Sequence, residues 1–252
     1  MKLMSYWLDT APKFTGAETE PPNGEIDVAV VGAGFTGLSA AIALAKKGAR
    51  VAVFEAGLVG NAASGRNGGM CNNGFAQDYY GLSRTLGRER ANMLYRAFDA
   101  GVDKVESLIA EEGIACNFKR VGKLKLAAKP EHYDKLARSQ ALMAQEVDPD
   151  THMVSRAELR DEIGSDRYFG GLVFGKSAGM HVGRYGQGLA VAAARHGVRI
   201  YENAPVMGLK RLSGAVHQVQ TPTGSVRAGQ VLLATGTSAV GQIGRASCRE
   251  RV

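Results

Sequence analysis

Apolar residues follow three patterns along this chain, and each pattern predicts a different kind of element. Short continuous apolar runs are typical of strands buried on both faces of a parallel sheet, and they occur at Asp27–Val31, Arg50–Phe54 and Gln230–Ala234. Strict alternation at Gly122–Ala127 predicts a half-buried antiparallel strand. Apolar positions at helical spacing over 91–109 predict a long helix that ends at Gly113.

The same reasoning assigns the remaining elements. Helices are predicted at 38–47, 131–144, 155–163 and 186–196. The helix at 155–163 would begin with a capping box of Ser155 and Glu158. Strands are predicted at 171–174, 178–181 and 198–202, and a three-stranded meander at 206–210, 215–220 and 225–228. This order indicates an α/β chain that leaves a parallel-sheet domain, builds part of a second region and returns.

Composition places the chain among ordinary folded proteins. Of its 252 residues 45% are apolar and 22% charged, and no apolar run reaches the roughly 18 residues that a membrane span needs. Residues 1–24 lack the basic start and apolar core of a signal peptide. Cys71, Cys116 and Cys248 show neither metal nor disulfide spacing. We therefore expect a cytoplasmic protein with no membrane span and no metal site.

The formal net charge of +7 raises the question of nucleic-acid binding. The basic residues are scattered, however. Lys46, Lys47 and Arg50 close one predicted helix, where cations are favourable. Arg84 and Arg88 have no interleaved aromatic residues on which bases would stack. We expect a solvated basic surface and no nucleic-acid partner.

One segment carries recognisable chemistry. Gly32, Gly34 and Gly37 follow the first predicted strand directly and open the next helix. In this position the first glycine permits a tight turn, the second lets the backbone approach a pyrophosphate, and the third lets helix and strand pack closely. The helix N-terminus adds free N–H groups and a partial positive charge. Because Glu55 ends the second strand and can accept hydrogen bonds from a ribose, the segment predicts an adenine-dinucleotide site.

The last ten residues, 243–252, differ from the rest of the chain. They match the translation of a common short-read sequencing adapter, and we interpret them as a read-through artefact; the alternative is a basic C-terminal tail. Without them the formal charge falls from +7 to +5, because three arginines and one glutamate are lost. On this interpretation the natural chain continues beyond Gln242.

Several stretches together resemble the D-amino-acid-oxidase-like (DAO) family of FAD-dependent oxidoreductases, most closely its gamma-glutamylputrescine oxidase type. The resemblance covers nearly all of 5–242. The stretches that carry it are Ser5–Trp7, Gly32–Gly37, Glu55–Ala56, Ala63–Gly69, Ser165–Tyr168, the surroundings of His181, and Ala234–Gly236. The run from Ser64 to Gly69 is the most specific, because it distinguishes this group from plain nicotinamide-binding proteins. One departure is His-Val-Gly at 181–183, where related sequences often read His-Pro.

The resemblance implies a Rossmann-like, three-layer FAD-binding domain with a β-meander, plus the start of an inserted mixed α+β substrate domain, truncated at the C-terminus. The implied boundaries are 1–24 for a leader segment, 25–116 and 183–242 for the FAD-binding domain, 117–182 for the partial substrate domain and 243–252 for the artefact.

The resemblance also implies a set of contacts to a non-covalently bound FAD. Gly32, Gly34 and Gly37 would line the pyrophosphate, Glu55 would hold the adenosine ribose, and Val206 would meet the adenine with its backbone. The loop at 64–69 would pass along the pyrophosphate and the flavin. The full implied set is Gly32, Gly34, Thr36, Gly37, Glu55, Ala56, Ser64, Gly65, Arg66, Asn67, Gly68, Gly69, Val206, Ala234, Thr235 and Gly236.

The family's chemistry implies oxidation of a C–N bond in a small amine or amino acid, with hydride passing to flavin N5 and O2 as the usual electron acceptor. Two alternatives stay open. One is an FAD-dependent dehydrogenase of a hydroxy acid or glycerol phosphate with the same fold. The other is an inactive, truncated nucleotide-binding half that retains little or no FAD.

No catalytic residue is assigned from the sequence. Arg66 could anchor a carboxylate near the flavin, or it could hold the glycine loop. His181 could approach a substrate, or it could satisfy a structural hydrogen bond. Cys71 is more typical of a small buried thiol than of a covalent flavin link, and Arg184 of a solvent-facing side chain.

Overall fold

The computed structural model describes residues 4–212 and 214–236 of the chain. The chain divides into two units: the first is Met1–Gly68, Glu112–Cys116 and His181–Val252, and the second is Gly69–Glu111 and Asn117–Met180. This division groups 69–111 with the insert, whereas the sequence analysis assigns that segment to the FAD-binding domain. The division into compact units does not show which segments bind the cofactor, so the boundaries of the FAD-binding and substrate domains stay a prediction.

The elements lie close to the positions that the apolar patterns predict. The helices are α1 (Tyr6–Asp9), α2 (Phe35–Ala45), α3 (Tyr79–Leu86), α4 (Arg88–Glu112), α5 (Pro130–Glu146), α6 (Leu159–Glu162) and α7 (Val182–Arg195). The strands are β1 (Glu25–Val31), β2 (Val51–Phe54), β3 (Met70–Cys71), β4 (Lys123–Leu126), β5 (Thr151–Ser155), β6 (Gly170–Phe174), β7 (Ala178–Gly179), β8 (Arg199–Tyr201), β9 (Gly208–Arg211), β10 (His217–Gln220) and β11 (Ser225–Leu233). None of the helices among the described residues has the length and hydropathy to cross a membrane.

The first unit is built on a six-stranded sheet with the strand order β8-β2-β1-β11-β10-β9. Strands β8, β2, β1 and β11 run parallel, and β11, β10 and β9 form an antiparallel meander. Val30 of β1 lies opposite Val53 and Leu232, and both valines are completely buried. Continuous valine-rich runs form these strands because the centre of the sheet is covered on both faces.

Helices α2 and α7 pack against each other in the same unit. The rings of Phe35 and Tyr185 meet edge to face with centroids 5.0 Å apart. A separate apolar cluster joins the sheet to the meander, with Phe54 and Tyr201 stacked at 5.2 Å and Val219 completely buried. Helices, sheet and meander together give the α/β architecture that the sequence predicts.

Strand β11 corrects one prediction. The sequence separates a meander strand at 225–228 from a sheet strand at 230–234, but the structure forms one nine-residue strand. The segment from Ser225 to Ala228 pairs antiparallel with β10, and the segment from Arg227 onward pairs parallel with β1. Gly229 interrupts the apolar pattern, yet the pairing continues through it because the hydrogen bonds of a sheet join main-chain groups.

The second unit contains a three-stranded antiparallel sheet with the order β4-β6-β5, and the separate strand pair of β3 and β7. Helix α5 packs on β5 and β6. The helices and β6 share one apolar core, whose buried members include Tyr79, Tyr95, Leu136, Met143 and Leu172. The predicted long helix is preceded by a second helix, α3, and Gly87 separates the two with φ of +81°.

The predicted helix at 155–163 is wrong. Ser155 ends strand β5, and only the single turn of α6 is helical. Ser155 and Glu158 still form the reciprocal pair of a capping box: the Ser155 N–H donates to Glu158 Oε2 at 3.0 Å, and the Glu158 N–H donates to Ser155 Oγ at 3.4 Å. The local motif forms, but pairing of β5 with β6 sets the conformation of the chain before it.

The chain around His181 also differs from its prediction. The sequence predicts a strand at 178–181 and a helix that begins at 186, whereas strand β7 ends at Gly179 and α7 begins at Val182. His181 is the N-cap of that helix. The sequence does not indicate that α7 begins at Val182, because Gly183 and Gly186 lower the helix propensity of its first turns.

Candidate cofactor-binding site

The turn between β1 and α2 has a backbone that excludes side chains at two positions. Gly32 has φ of +106°, and a Cβ there would lie 2.7 Å from the Ala234 carbonyl oxygen. A Cβ on Gly37 would collide with the Gly32 carbonyl oxygen and lie 3.3 Å from Val30 Cγ1. Packing of strand, turn and helix therefore requires glycine at both positions.

The N-terminus of α2 faces the loop that follows β2. The N-cap of helix α2 is Gly34, so no side chain caps the helix. The Phe35 N–H donates to Ser64 Oγ at 3.1 Å, and a Cβ on Gly34 would lie 2.9 Å from the same oxygen. The first turn of a helix leaves N–H groups, here those of Thr36 and Gly37, without intrahelical acceptors, and Thr36 is exposed. Such N–H groups and the positive end of the helix dipole suit a phosphate.

The Glu55 carboxylate is fixed at the carboxyl end of β2. Its Oε2 accepts the Ala33 N–H at 2.8 Å, and its Oε1 accepts the Gly57 N–H at 3.0 Å. Each carboxylate oxygen has a further lone pair, and Glu55 is only half-buried, while Ala56 beside it is exposed. The group is therefore oriented by the turn and still able to accept hydroxyl donors.

The sequence analysis missed a second acidic residue, Glu202, in this region. Its Oε1 accepts the Val59 N–H at 2.6 Å, and the Ala204 N–H donates to the Glu55 carbonyl oxygen at 2.8 Å. Residues that follow β8 thus hold the segment that follows β2. The signal was available, because Glu202 is the last residue of the strand predicted at 198–202, and Glu55 likewise stands at the end of a predicted strand.

The polar side chains of the loop at 63–68 form hydrogen bonds within the loop and to Asn61 just before it. A single 3₁₀ turn covers Ala63–Gly65. Arg66 Nε donates to the Asn61 carbonyl oxygen at 2.7 Å, and Asn67 Nδ2 donates to the carbonyl oxygens of Ala63 and Ser64. These bonds let Arg66 hold the loop, and its role toward a cofactor or substrate stays a prediction.

The remaining predicted contacts lie at three places. Ala234 follows β11 and donates its N–H to the Val31 carbonyl oxygen at 2.8 Å, which sets it beside Gly32. Thr235 is half-buried, and Gly236 is exposed. Val206 packs on the apolar cluster that joins sheet and meander. Gly68 is exposed, and Gly69, in the second unit, is buried with φ of +73°.

His181 and Cys71 have structural surroundings. His181 Nδ1 accepts the Arg184 N–H at 3.2 Å, and Nε2 lies 2.9 Å from Thr10 Oγ1, so the neutral ring with its proton on Nε2 satisfies both contacts. Burial lowers the pKa of His181 and raises the pKa of the Cys71 thiol. A thiol with a raised pKa is a poor nucleophile, and the non-covalent attachment of FAD stays a prediction.

Residues 27–251 match the protein-family model described as DAO, FAD dependent oxidoreductase. The chain belongs to the DAO family. The description of that family model, FAD dependent oxidoreductase, agrees with the family that the resemblance implies. The match reaches residue 251, so it includes most of the segment at 243–252. That segment lies outside the described residues, and its interpretation as an adapter stays a prediction.

Two curated relatives and one solved structure illustrate the similarity of this DAO-family protein. Probable oxidoreductase OrdL of Haemophilus influenzae is 35% identical over 227 residues, which cover 85% of this chain and 50% of the relative. Gamma-glutamylputrescine oxidoreductase of Escherichia coli is 31% identical and covers 91% and 53%. The crystal structure of glycine oxidase from Geobacillus kaustophilus has a TM-score of 0.70 at 26% identity and covers 89% and 59%. The chain spans about half the length of the curated relatives it matches.

Proposed function

We propose that this DAO-family protein oxidises a C–N bond of a small amine or amino acid. The observation that carries the proposal is its 31% identity to gamma-glutamylputrescine oxidoreductase across 91% of the chain. The similarity to glycine oxidase supports the same substrate class. The electron acceptor that we propose is O2.

The described residues fit FAD in their chemistry. The donors at the N-terminus of α2 and the side-chain-free turn at Gly32 and Gly34 suit the pyrophosphate. Glu55, oriented by two main-chain N–H groups, suits the hydroxyls of the adenosine ribose. We propose that the loop at 64–69 and the segment at 234–236 border the same cofactor, with Val206 near the adenine.

The protein's own groups position the reactants, and the bound flavin supplies the hydride acceptor for oxidation of the C–N bond to an imine, which water hydrolyses. The helix dipole and the free N–H groups of Thr36 and Gly37 would neutralise part of the pyrophosphate charge. Arg66 would act on the cofactor through the loop that it holds, since its guanidinium binds Asn61.

The decisive experiment uses the protein encoded by the gene when it is resequenced past the codon for Gln242. The purified protein is offered amines, amino acids, hydroxy acids and glycerol 3-phosphate, and hydrogen peroxide and released ammonia or amine are measured. We expect turnover of an amine or amino acid with release of hydrogen peroxide. Oxidation of hydroxy acids or glycerol 3-phosphate alone would overturn the proposed substrate class. Turnover with a dye and not with O2 would overturn only the proposed acceptor.

A binding experiment tests the site in this chain. Because the chain spans about half the length of its relatives, we expect FAD to dissociate during gel filtration but to bind measurably in an equilibrium titration. The substitution Glu55→Gln should weaken binding about tenfold, because a charge-assisted hydrogen bond to the ribose is lost. The control is Glu20→Gln, at an exposed position outside the proposed site. Equal affinities of the Glu55→Gln variant and the unaltered chain would contradict the assignment of Glu55.

A further inference from the structure

The N-terminal strap, residues 5–14, binds the loop that is proposed to lie along FAD. The Ser5 hydroxyl donates to the Gly65 carbonyl oxygen at 2.6 Å, and the Trp7 indole Nε1–H donates to the Asn67 carbonyl oxygen at 2.7 Å. A Cβ on Gly65 would lie 2.8 Å from Leu8 Cδ2, so strap and loop are in close contact. The strap thus donates two hydrogen bonds to main-chain carbonyl groups of one short loop, each across sixty residues of sequence.

The other side of the strap is attached to α7. The Trp7 ring meets the His181 ring edge to face with centroids 5.0 Å apart, and a Cβ on Gly183 would collide with the Trp7 carbonyl oxygen. The Phe14 N–H donates to Gln187 Oε1 at 2.6 Å. These contacts attach the strap that carries Ser5 and Trp7 to α7, whose inner face is buried.

The loop transmits this attachment to the helix N-terminus. Its Ser64 hydroxyl accepts the Phe35 N–H at the start of α2, one residue before the carbonyl group that Ser5 binds. The Asn67 side chain ties the same turn together through the Ala63 and Ser64 carbonyl oxygens. Release of the strap would therefore loosen the turn that presents Ser64 to the proposed phosphate site.

We propose that Ser5 and Trp7 are positioning residues, which hold the loop at 63–68 in the conformation that binds FAD. The proposal rests on the proposed cofactor role of this loop, and it adds a role for a segment that the sequence analysis places in the leader and cites only for the family resemblance. Trp7 acts through the loop and needs no contact with substrate. Trp7 is the single tryptophan among the 252 residues, so tryptophan fluorescence reports on the strap alone.

The test compares the unaltered 252-residue chain with Ser5→Ala/Trp7→Phe, which removes both donors but keeps an aromatic ring at position 7. The matched control is Tyr6→Phe, which removes an exposed hydroxyl from the same helical turn. Hydrogen exchange of the 61–69 peptide is measured without flavin, and FAD affinity is measured by equilibrium titration. Ser5→Ala alone removes one hydroxyl and serves if the double variant does not fold.

We expect exchange in the loop to rise about tenfold and FAD binding to weaken about tenfold in the double variant, with about a third of each effect in Ser5→Ala. The Tyr6→Phe control should change neither. In the unaltered chain, FAD should also quench the Trp7 emission. Unchanged hydrogen exchange of the loop in Ser5→Ala/Trp7→Phe would show that the strap does not hold the loop. Faster exchange with unchanged FAD affinity would overturn the positioning role. Failure of the unaltered chain to bind FAD at saturating concentration would count against the proposed function instead, and the flavin-free exchange would still decide whether the strap holds the loop.

Discussion

The cofactor turn of the first unit and the interior of the second unit are held by different kinds of contact. In the turn, main-chain atoms decide the structure: Gly37 lies under the Gly32 carbonyl oxygen, and Gly32 lies against that of Ala234. Such contacts need only a glycine at the right position. A glycine pattern in a single sequence can therefore predict them.

In the second unit a buried side-chain network joins residues that are far apart in sequence. Asn73 Nδ2 donates to Asp99 Oδ1 at 3.0 Å and to Asp148 Oδ2 at 3.1 Å, and the Tyr95 hydroxyl donates to Asp148 Oδ2 at 2.8 Å. Asn73 and Asp148 are completely buried. Burial raises the pKa of the Tyr95 hydroxyl far above its usual range, and the hydrogen bond to Asp148 adds to this effect. Because its members lie up to 75 residues apart in sequence, no local pattern predicts the network.

The largest effect is expected where a side chain would enter the main-chain contact of the first unit. Gly37→Val should destabilise the protein by about 4 kcal/mol, because its side chain would collide with the Gly32 carbonyl oxygen. Urea unfolding measures the free energy. The control Gly101→Ala lies in α4 in open space and should stabilise the helix by up to about 1 kcal/mol. Similar losses in both variants would contradict the close-approach explanation.

The next effect tests the side-chain network of the second unit. Asn73→Ala should cost about 3 kcal/mol, because it leaves buried Asp99 and Asp148 without their shared donor. The neighbouring residue Asn72 is exposed, and Asn72→Ala should change the unfolding free energy by less than about 0.5 kcal/mol. If the two alanine variants unfolded at the same urea concentration, the network would not be what holds this unit.

A third variant asks whether the first unit also depends on side-chain polarity. The Glu112 side chain is 4% exposed and pairs with Lys46, Arg195 and His196. Burial alone would raise its pKa, but the hydrogen bonds from Lys46 and His196 outweigh burial and hold the pKa below its usual value. Glu112→Gln should cost about 2 kcal/mol at pH 7, with Glu111→Gln, its half-exposed neighbour, as control.

The pH dependence of this variant has a defined sign. The pKa of Glu112 is lower in the folded state than in the unfolded state. The contribution of its charge to the free energy of unfolding is therefore complete above the unfolded pKa and is lost as the pH falls through the folded pKa. The difference between Glu112→Gln and the unaltered chain should therefore shrink in acid. A difference that stays constant from pH 7 to pH 3 would show that shape, and not charge, is responsible.

The smallest effect concerns the cap of α7. Burial lowers the pKa of His181 below its usual value of 6.5, so the unfolded chain takes up a proton first. The contribution of His181 to the free energy of unfolding is complete above about pH 6.5 and is lost as the pH drops through the folded pKa, so the protein should be less stable at pH 5 than at pH 7. His181→Asn keeps a cap acceptor and should remove this loss, whereas His132→Asn, at an exposed position, should not. An unchanged pH profile in His181→Asn would contradict this origin.

The parts of the fold that the sequence predicts are those that neighbouring residues determine. The strands at Val30 and Val53 and the turn at Gly32 follow from local pattern and backbone geometry. Strand β5 does not, because the Ser155–Glu158 motif is the same whether the chain before it is helical or paired with β6. The polar contacts of Trp7 are equally hidden, since nothing near residue 7 indicates a loop sixty positions away.

Strand β11 has a consequence for the order in which the protein is assembled during synthesis. Glu25 of β1 pairs with Arg227 of β11, 202 residues later, and closing so large a loop carries an entropic cost. The three strands of the antiparallel sheet in the second unit, by contrast, lie between Lys123 and Phe174. A ribosome therefore releases all three strands of that smaller sheet before β11 is available to pair with β1. The first unit contains the first strand to be translated, β1, yet its sheet is completed after the smaller sheet of the second unit.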